Sequence, residues 1–70
     1  EVMLVAEDKP GVIADVATRL AQANVNIEDI EVLKVREGEG GTIRMGFGKQ
    51  ADAEQAVDIL NGVGYQVRLR

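Results

Sequence analysis

Asp8-Lys9-Pro10-Gly11-Val12-Ile13 lies where an apolar segment ends and an amphipathic one begins. The residues before it are too apolar for a surface loop, so residues 1–7 predict a strand. After it, five apolar residues recur at helical spacing and predict a helix over residues 10–23: Val12, Ile13, Val16, Ala17 and Leu20. The stretch is therefore a strand-to-helix junction.

Three residues of the junction suit the start of a helix to different degrees. Pro10 has no N–H group, but an N–H in the first turn of a helix would have no partner within the helix, so no hydrogen bond is lost. Asp8 can act as a plain helix cap by accepting hydrogen bonds from the free N–H groups of that turn. Gly11 is unexpected, because glycine inside a helix costs about 1 kcal/mol relative to alanine. Two explanations remain open: Gly11 packs under the second strand, or a ligand approaches the backbone there. A helix N-terminus favours an anion such as a carboxylate.

Residues 26–36 predict a second strand, because β-branched residues are frequent in them. The alternation is imperfect: Ile30 and Val32 share one face, whereas Leu33 and Val35 share the other. This pattern predicts either a bulge or a strand whose two ends face different neighbours.

The remaining elements follow in regular order. Three glycines within residues 37–41 predict a turn, and residues 42–48 predict a third strand antiparallel to the second. Residues 51–61 predict a second helix that Asn61-Gly62 ends, and residues 65–70 predict a last strand. The order β-α-β-β-α-β predicts an α+β fold, the ferredoxin-like sandwich, with two helices on one face of a four-stranded antiparallel sheet. The opposite sheet face, partly apolar, then requires solvent-tolerant residues or a partner.

Length and composition restrict the function. A chain of 70 residues makes one domain, and such a chain buries only roughly 60% of its unfolded surface. It contains no cysteine or histidine, which excludes disulfides and the usual zinc sites, so self-association is the expected supplement to the core. The net charge of −4 argues against nucleic acid as a partner.

No signal peptide or membrane span is recognisable, so the expected location is cytoplasmic. The start at Glu1, almost inside a strand, suggests a domain cut from a longer protein, although a processed chain would begin in the same way.

No residue constellation predicts catalysis, and neither a metal nor a cofactor is expected. Nucleophilic triads need the histidine or cysteine that the chain lacks. Three carboxylate pairs occur without EF-hand spacing and are expected to be solvated: Glu7-Asp8, Glu28-Asp29 and Glu37/Glu39. Ferredoxin-like metal carriers need a Cys-x-x-Cys, RNA-recognition domains need stacked aromatics, and acylphosphatases need an arginine in the first loop; each set is missing here.

Three segments of the first half of the chain resemble the signature of the ACT domain: Asp8–Ile13, Leu20 and Asn24–Ile27. ACT domains are small regulatory modules attached to enzymes of amino-acid metabolism. The resemblance covers the whole chain in element order and is most specific in residues 6–30. Segments from Asn26 onward resemble the C-terminal ACT domain of bacterial prephenate dehydrogenases: Asn26-Ile27 to Ile30, Val35–Gly38, Gly41, Arg44–Phe47 and Gly64-Tyr65.

The resemblance implies a ligand site. In the family, two domains pair sheet edge to sheet edge, and an amino acid binds between the first loop of one chain and the start of the second strand of the other. Carried over to this sequence, the implied site residues are Asp8, Lys9, Pro10 and Gly11 of one chain with Asn26, Ile27 and Glu28 of the other. Asn26 has a donor and an acceptor for the ligand's carboxylate and ammonium, and Asp8 can hold the ammonium. Some family members have asparagine at Asp8 and histidine at Ala6, so their ligand chemistry cannot be copied unchanged.

The implied function is regulation of an attached catalytic domain by a small amino acid, tyrosine or phenylalanine first, in an enzyme of amino-acid biosynthesis such as prephenate dehydrogenase. The apolar character of both faces of residues 30–35 predicts a homodimer joined through the second strand and the first helix. The alternative is a pure dimerisation module with an idle site. In that case Asn26 is simply a turn residue after the helix.

Overall fold

The computed structural model describes residues 1–6, 11–34 and 41–70. The elements are β1 (Val2–Ala6), α1 (Val12–Gln22), β2 (Ile27–Lys34), β3 (Gly41–Phe47), α2 (Gln50–Gly62) and β4 (Gln66–Leu69). The strands form one antiparallel sheet in the order β2-β3-β1-β4, so β2 and β4 are its edges. The predicted ferredoxin-like order and sheet are confirmed. The expected strand residues 35 and 36 and most of the predicted turn lie outside the described residues.

The core lies between one face of the sheet and the two helices. Alternate residues of the central strands point to this face, and the helices contribute small and aliphatic side chains. Its fully buried larger members are Val2, Leu4, Val16, Leu20, Ile43, Met45 and Leu60. Both helices therefore cover the same side of the sheet, as predicted. In the described ranges no helix is long and apolar enough to span a membrane.

Both helices end in the same way. Asn24, with φ of 61°, takes a left-handed conformation that asparagine tolerates and closes α1, and the Val25 N–H then bonds the Leu20 carbonyl at 2.9 Å. In α2 the left-handed residue is Gly64, with φ of 101°, whereas Gly62 is still helical. The prediction that Asn61-Gly62 ends the second helix is confirmed, since α2 ends at Gly62 and the left-handed Gly64 follows it.

The start of α1 explains Gly11. The helix begins at Val12, and Gly11 precedes it as the N-cap with φ of 85°. This left-handed conformation favours glycine. A Cβ built at Gly11 would meet no atom of the described residues within 4 Å, so the packing explanation is wrong for the described part of β2, and the backbone conformation itself accounts for the residue. The predicted role of Pro10 and the capping role of Asp8 fall on residues outside the described ranges.

β2 contains a bulge at Glu28, which lies before the segment whose imperfect alternation predicted a bulge or a change of neighbours. The described part of that segment alternates regularly, with Ile30 and Val32 on the helix side and Leu33 on the other face. Ile27 pairs with Phe47 of β3, but Asp29 already pairs with Gly46, so Glu28 is an extra residue. Because of this extra residue, Ile27 and Ile30 both lie on the helix side of the sheet. Without the bulge they would lie on opposite faces.

Candidate functional site

The described part of the first loop consists of Gly11. It is exposed and lies directly before α1. The N–H groups of a helix's first turn have no partner within the helix, and the helix dipole is positive there. Gly11 adds an open approach to these groups, since no side chain among the described residues covers its position. The other predicted loop residues, Asp8, Lys9 and Pro10, lie outside the described residues.

The other half of the predicted site surrounds the start of β2. Asn26 is exposed between α1 and β2, whereas Ile27 is half-buried and packs against the core. Glu28 is exposed at the bulge, and a Cβ on Gly48 would lie 2.9 Å from its carboxylate oxygen Oε1. The absence of a side chain at Gly48 therefore leaves room for the Glu28 carboxylate beside β3.

A single chain does not bring the two halves together. Gly11 precedes α1 and Asn26 follows it, and the helix has 11 residues. At 1.5 Å per residue the halves are separated by about 16 Å along the helix axis. The two halves are therefore separate, exposed patches at opposite ends of α1.

The surface between these patches is apolar. Ile30 and Val32, on the helix side of edge strand β2, are 42% and 53% exposed, and Ile13 of α1 is 47% exposed. An unpaired strand edge offers backbone N–H and C=O groups to a second strand. The described residues thus present a strand edge with apolar side chains beside it.

A charged cluster on the other face of the sheet was not found from the sequence. The Arg44 guanidinium of β3 donates to three carboxylates: Glu1 Oε2 at 2.9 Å, Asp29 Oδ2 at 2.8 Å and Glu31 Oε1 at 3.2 Å. The hydrogen bond from Arg44 holds the pKa of Asp29 below its usual range, and the same contacts raise that of Arg44. Asp29, expected to be simply solvated, is exposed but ion-paired.

A second polar group joins α1 to the end of α2. The Tyr65 hydroxyl donates to Asp15 Oδ2 at 2.6 Å, and Arg19 Nε donates to the same carboxylate at 3.1 Å. The Tyr65 bond is the main cause of a lowered pKa of Asp15, and the bond to Asp15 is likewise the main cause of a raised pKa of Tyr65. This group fixes α1, which separates the two halves of the candidate site.

Comparison with known proteins decides the family. The family model described as the ACT domain matches residues 1–64. The chain belongs to the ACT domain family. The crystal structure of the ACT domain of prephenate dehydrogenase from Bacillus anthracis superposes with a TM-score of 0.88 at 30% sequence identity, covering 96% of this chain and 97% of that one. The resemblance inferred from the sequence is confirmed, and ACT domains are regulatory amino-acid-binding modules rather than catalytic ones.

Proposed function

We propose that this ACT domain binds a small amino acid at a homodimer interface and thereby controls an attached catalytic domain. The observation that carries the proposal is the separation of Gly11 from Asn26 by the length of α1. Antiparallel pairing of two β2 edges reverses one chain relative to the other. It therefore brings the Gly11 end of one chain beside the Asn26 end of its partner, and a complete site forms twice in each dimer.

The exposed groups suit a free amino acid. The open backbone at Gly11 and the first-turn N–H groups of α1 offer donors for the ligand's carboxylate. Asn26 and Glu28 of the partner chain are exposed and supply oxygen acceptors for its ammonium. Asp8, Lys9 and Pro10 complete the proposed site, and Ile27 supports it from the core side.

The comparison supports a choice of candidate effectors. Similarity to an ACT domain of prephenate dehydrogenase makes tyrosine and phenylalanine the first candidates and makes prephenate dehydrogenase the first candidate for the parent enzyme. In such a cytoplasmic enzyme, a ligand that binds the paired form more tightly shifts the pairing equilibrium by its differential affinity. The coupling free energy between ligand binding and the attached domain would then be about 1–3 kcal/mol.

The competing function is a dimerisation module with an idle site, since the apolar β2 edge alone also supports pairing. Calorimetric titration of the domain with the twenty amino acids, one at a time, separates the two functions. The regulatory proposal expects saturable heat with at least one amino acid at one ligand per chain. Dimerisation in sedimentation experiments with no binding heat from any amino acid would support the idle module instead.

A further inference from the structure

The sheet surface opposite the helices, here called the open face, is uncovered. Its residues follow from strand alternation and register: Asp29, Glu31 and Leu33 of β2, Thr42 and Arg44 of β3, Met3 and Val5 of β1, and Gln66 and Arg68 of β4, with Glu1 and Arg70 at the end of the sheet. Val5 is 52% and Leu33 37% exposed. The open face is therefore a mixed apolar and charged surface.

Charge is distributed unevenly across the open face. In its β2 half, Asp29 and Glu31 flank the one guanidinium of Arg44, which leaves an excess of one negative charge; the third carboxylate on Arg44, that of Glu1, comes from the residue before β1. In its β4 half, Arg68 and Arg70 are exposed, and neither forms an ion pair with another residue of the described ranges. One edge is thus negative and the other positive. The register places Glu31 and Arg68 in the same row, on either side of Arg44 and Met3.

The shape of the open face also differs between its two halves. A groove of about 400 Å³ lies in the half formed by β1 and β4, lined by Met3, Val5, Thr42, Gln66, Val67 and Arg68. In the other half, Leu33 of β2 stands exposed in the row that contains Val5. A groove and an apolar side chain therefore occupy opposite halves at the same level along the strands.

We propose that the open face binds a second copy of this chain, face to face, about a two-fold axis that runs parallel to the strands between β3 and β1. Such an axis places β4 of each chain over β2 of the other without changing the level along the strands. Arg68 then faces the partner's Glu31, Arg70 faces the partner's Asp29, and Leu33 lies over the partner's groove. A self-complementary surface is what a two-fold interface requires.

The size and charge of the open face determine how the contact behaves. Four strands spaced about 4.8 Å apart make the face only about 19 Å wide, which is small for a stable interface. The association is therefore concentration-dependent and weakened by salt. Nucleic acid does not fit this surface, because half of it carries excess negative charge.

This contact is independent of the β2-edge pairing proposed for ligand binding. Edge pairing uses an axis perpendicular to the sheet at β2, whereas the open-face axis is parallel to the strands and passes between β3 and β1. The two axes do not meet, so use of both contacts builds an open assembly larger than a dimer. Loss of one contact leaves the other intact.

Charge reversal tests the contact both by the loss of association in single variants and by its recovery in a mixture. In Arg68→Glu, and separately in Glu31→Arg, like charges face each other across the two-fold axis, so sedimentation should show open-face association weakened roughly tenfold or more. In an equimolar mixture, one copy of each variant can associate, and opposite charges then face each other at both contacts. Association should therefore return. Lys49→Glu, an equal charge reversal at an exposed residue off the open face, should leave association unchanged.

Leu33→Asp provides a second variant in case Glu31→Arg disturbs the Arg44 cluster. It should also weaken association, while circular dichroism shows an unchanged fold. Failure of the mixture of folded variants to re-associate, or unchanged association of both Arg68→Glu and Leu33→Asp, overturns the proposal. Amino-acid binding by Arg68→Glu is expected to match that of the parent. A failed association test therefore leaves the proposed function standing.

Discussion

The Tyr65 hydroxyl lies 2.6 Å from Asp15 Oδ2 and joins residues that are 50 positions apart in the chain. Asp15 is in the first turn of α1, and Tyr65 follows the end of α2. The bond therefore ties α1 to the segment that joins α2 and β4. It is partly exposed, so we expect it to affect titration more clearly than total stability.

Replacing Tyr65 by phenylalanine should raise the pKa of Asp15 toward the ordinary value of 3.8, because the largest cause of its lowered pKa is removed. A lowered carboxyl pKa stabilises the fold above the unfolded-state pKa, and this contribution is lost as the pH falls through the folded-state pKa. Tyr65→Phe should therefore show a weaker acid dependence of unfolding than the parent. Carboxyl carbon NMR titration measures the Asp15 midpoint directly, and identical midpoints in parent and variant would contradict the assignment.

The same bond has an effect at alkaline pH. The pKa of Tyr65 is raised above its ordinary value of 10.0, chiefly because its hydroxyl donates to Asp15. Its contribution to stability is then complete below the unfolded-state pKa and is lost as the pH rises through the higher folded-state pKa. Ultraviolet titration of the phenol in the folded parent should give a midpoint above 10.0. In Asp15→Asn that midpoint should fall, and no fall would show that Asp15 does not hold the proton on Tyr65.

Two leucines test where the core lies. Leu20 is fully buried, whereas Leu69 of β4 is 42% exposed. Leu20→Ala should reduce the free energy of unfolding by about 2–5 kcal/mol, as is usual for a buried leucine. Leu69→Ala removes the same atoms and should cost clearly less. Urea denaturation monitored by circular dichroism compares them, and equal losses would contradict the described core.

The elements were predictable because their signals are local. The apolar spacing of Val16 and Leu20 depends on a few neighbouring residues, and the predicted helix is confirmed. The end of α2 at Asn61-Gly62 was predictable for the same reason, whereas the left-handed conformation of Gly64 after it depends on the backbone path. The Arg44 cluster was missed because it depends on cross-strand register and on the Glu28 bulge.

The candidate site was predictable in its parts but not as a whole. Its residues come from the resemblance to the ACT family, and the sequence also marked Gly11 as unusual. The left-handed conformation of Gly11 explains the residue without a ligand. In the proposed site the two halves meet only in a pair of chains. The apolar pattern of residues 30–35 predicts such pairing but does not specify its geometry.

Substitutions at Gly11 and Gly64 distinguish the effect of backbone strain from the effect of a blocked ligand site. Both have positive φ, at 85° and 101°, and at neither would a Cβ lie within 4 Å of an atom in the described part of the chain. Substitution of either by valine should cost roughly 1–3 kcal/mol of stability from backbone strain but leave a folded domain. Of the two, Gly11→Val should also abolish amino-acid binding, because its side chain fills the space at the start of α1. Calorimetry on both folded variants measures this. Equal affinities would place the site elsewhere.

Val32 and Val63 test the edge of the sheet. Val32 is 53% exposed beside the β2 edge, and Val63 is 43% exposed after α2. Val32→Lys should disrupt edge pairing and, with it, ligand binding, since each site needs residues of both chains. Val63→Lys places the same charge away from the edge and should change neither. Sedimentation and calorimetry performed on the same samples report both properties, and ligand binding by a Val32→Lys monomer would contradict a shared site.

Asn26 gives the most direct test of regulation against idle dimerisation. A ligand that binds only the folded state stabilises it by roughly 2.7 kcal/mol at a hundredfold excess over its dissociation constant. The parent's melting temperature should therefore rise with tyrosine or phenylalanine concentration. Asn26→Ala should remove that rise while leaving the unliganded melting temperature nearly unchanged, because Asn26 is exposed before β2 and takes no part in the core. Gln55→Ala, which removes an exposed amide on α2, should retain the full rise. If none of the amino acids shifts the parent's melting temperature, the domain acts as a dimerisation module, and the exposed groups at Gly11 and Asn26 are free of any effector.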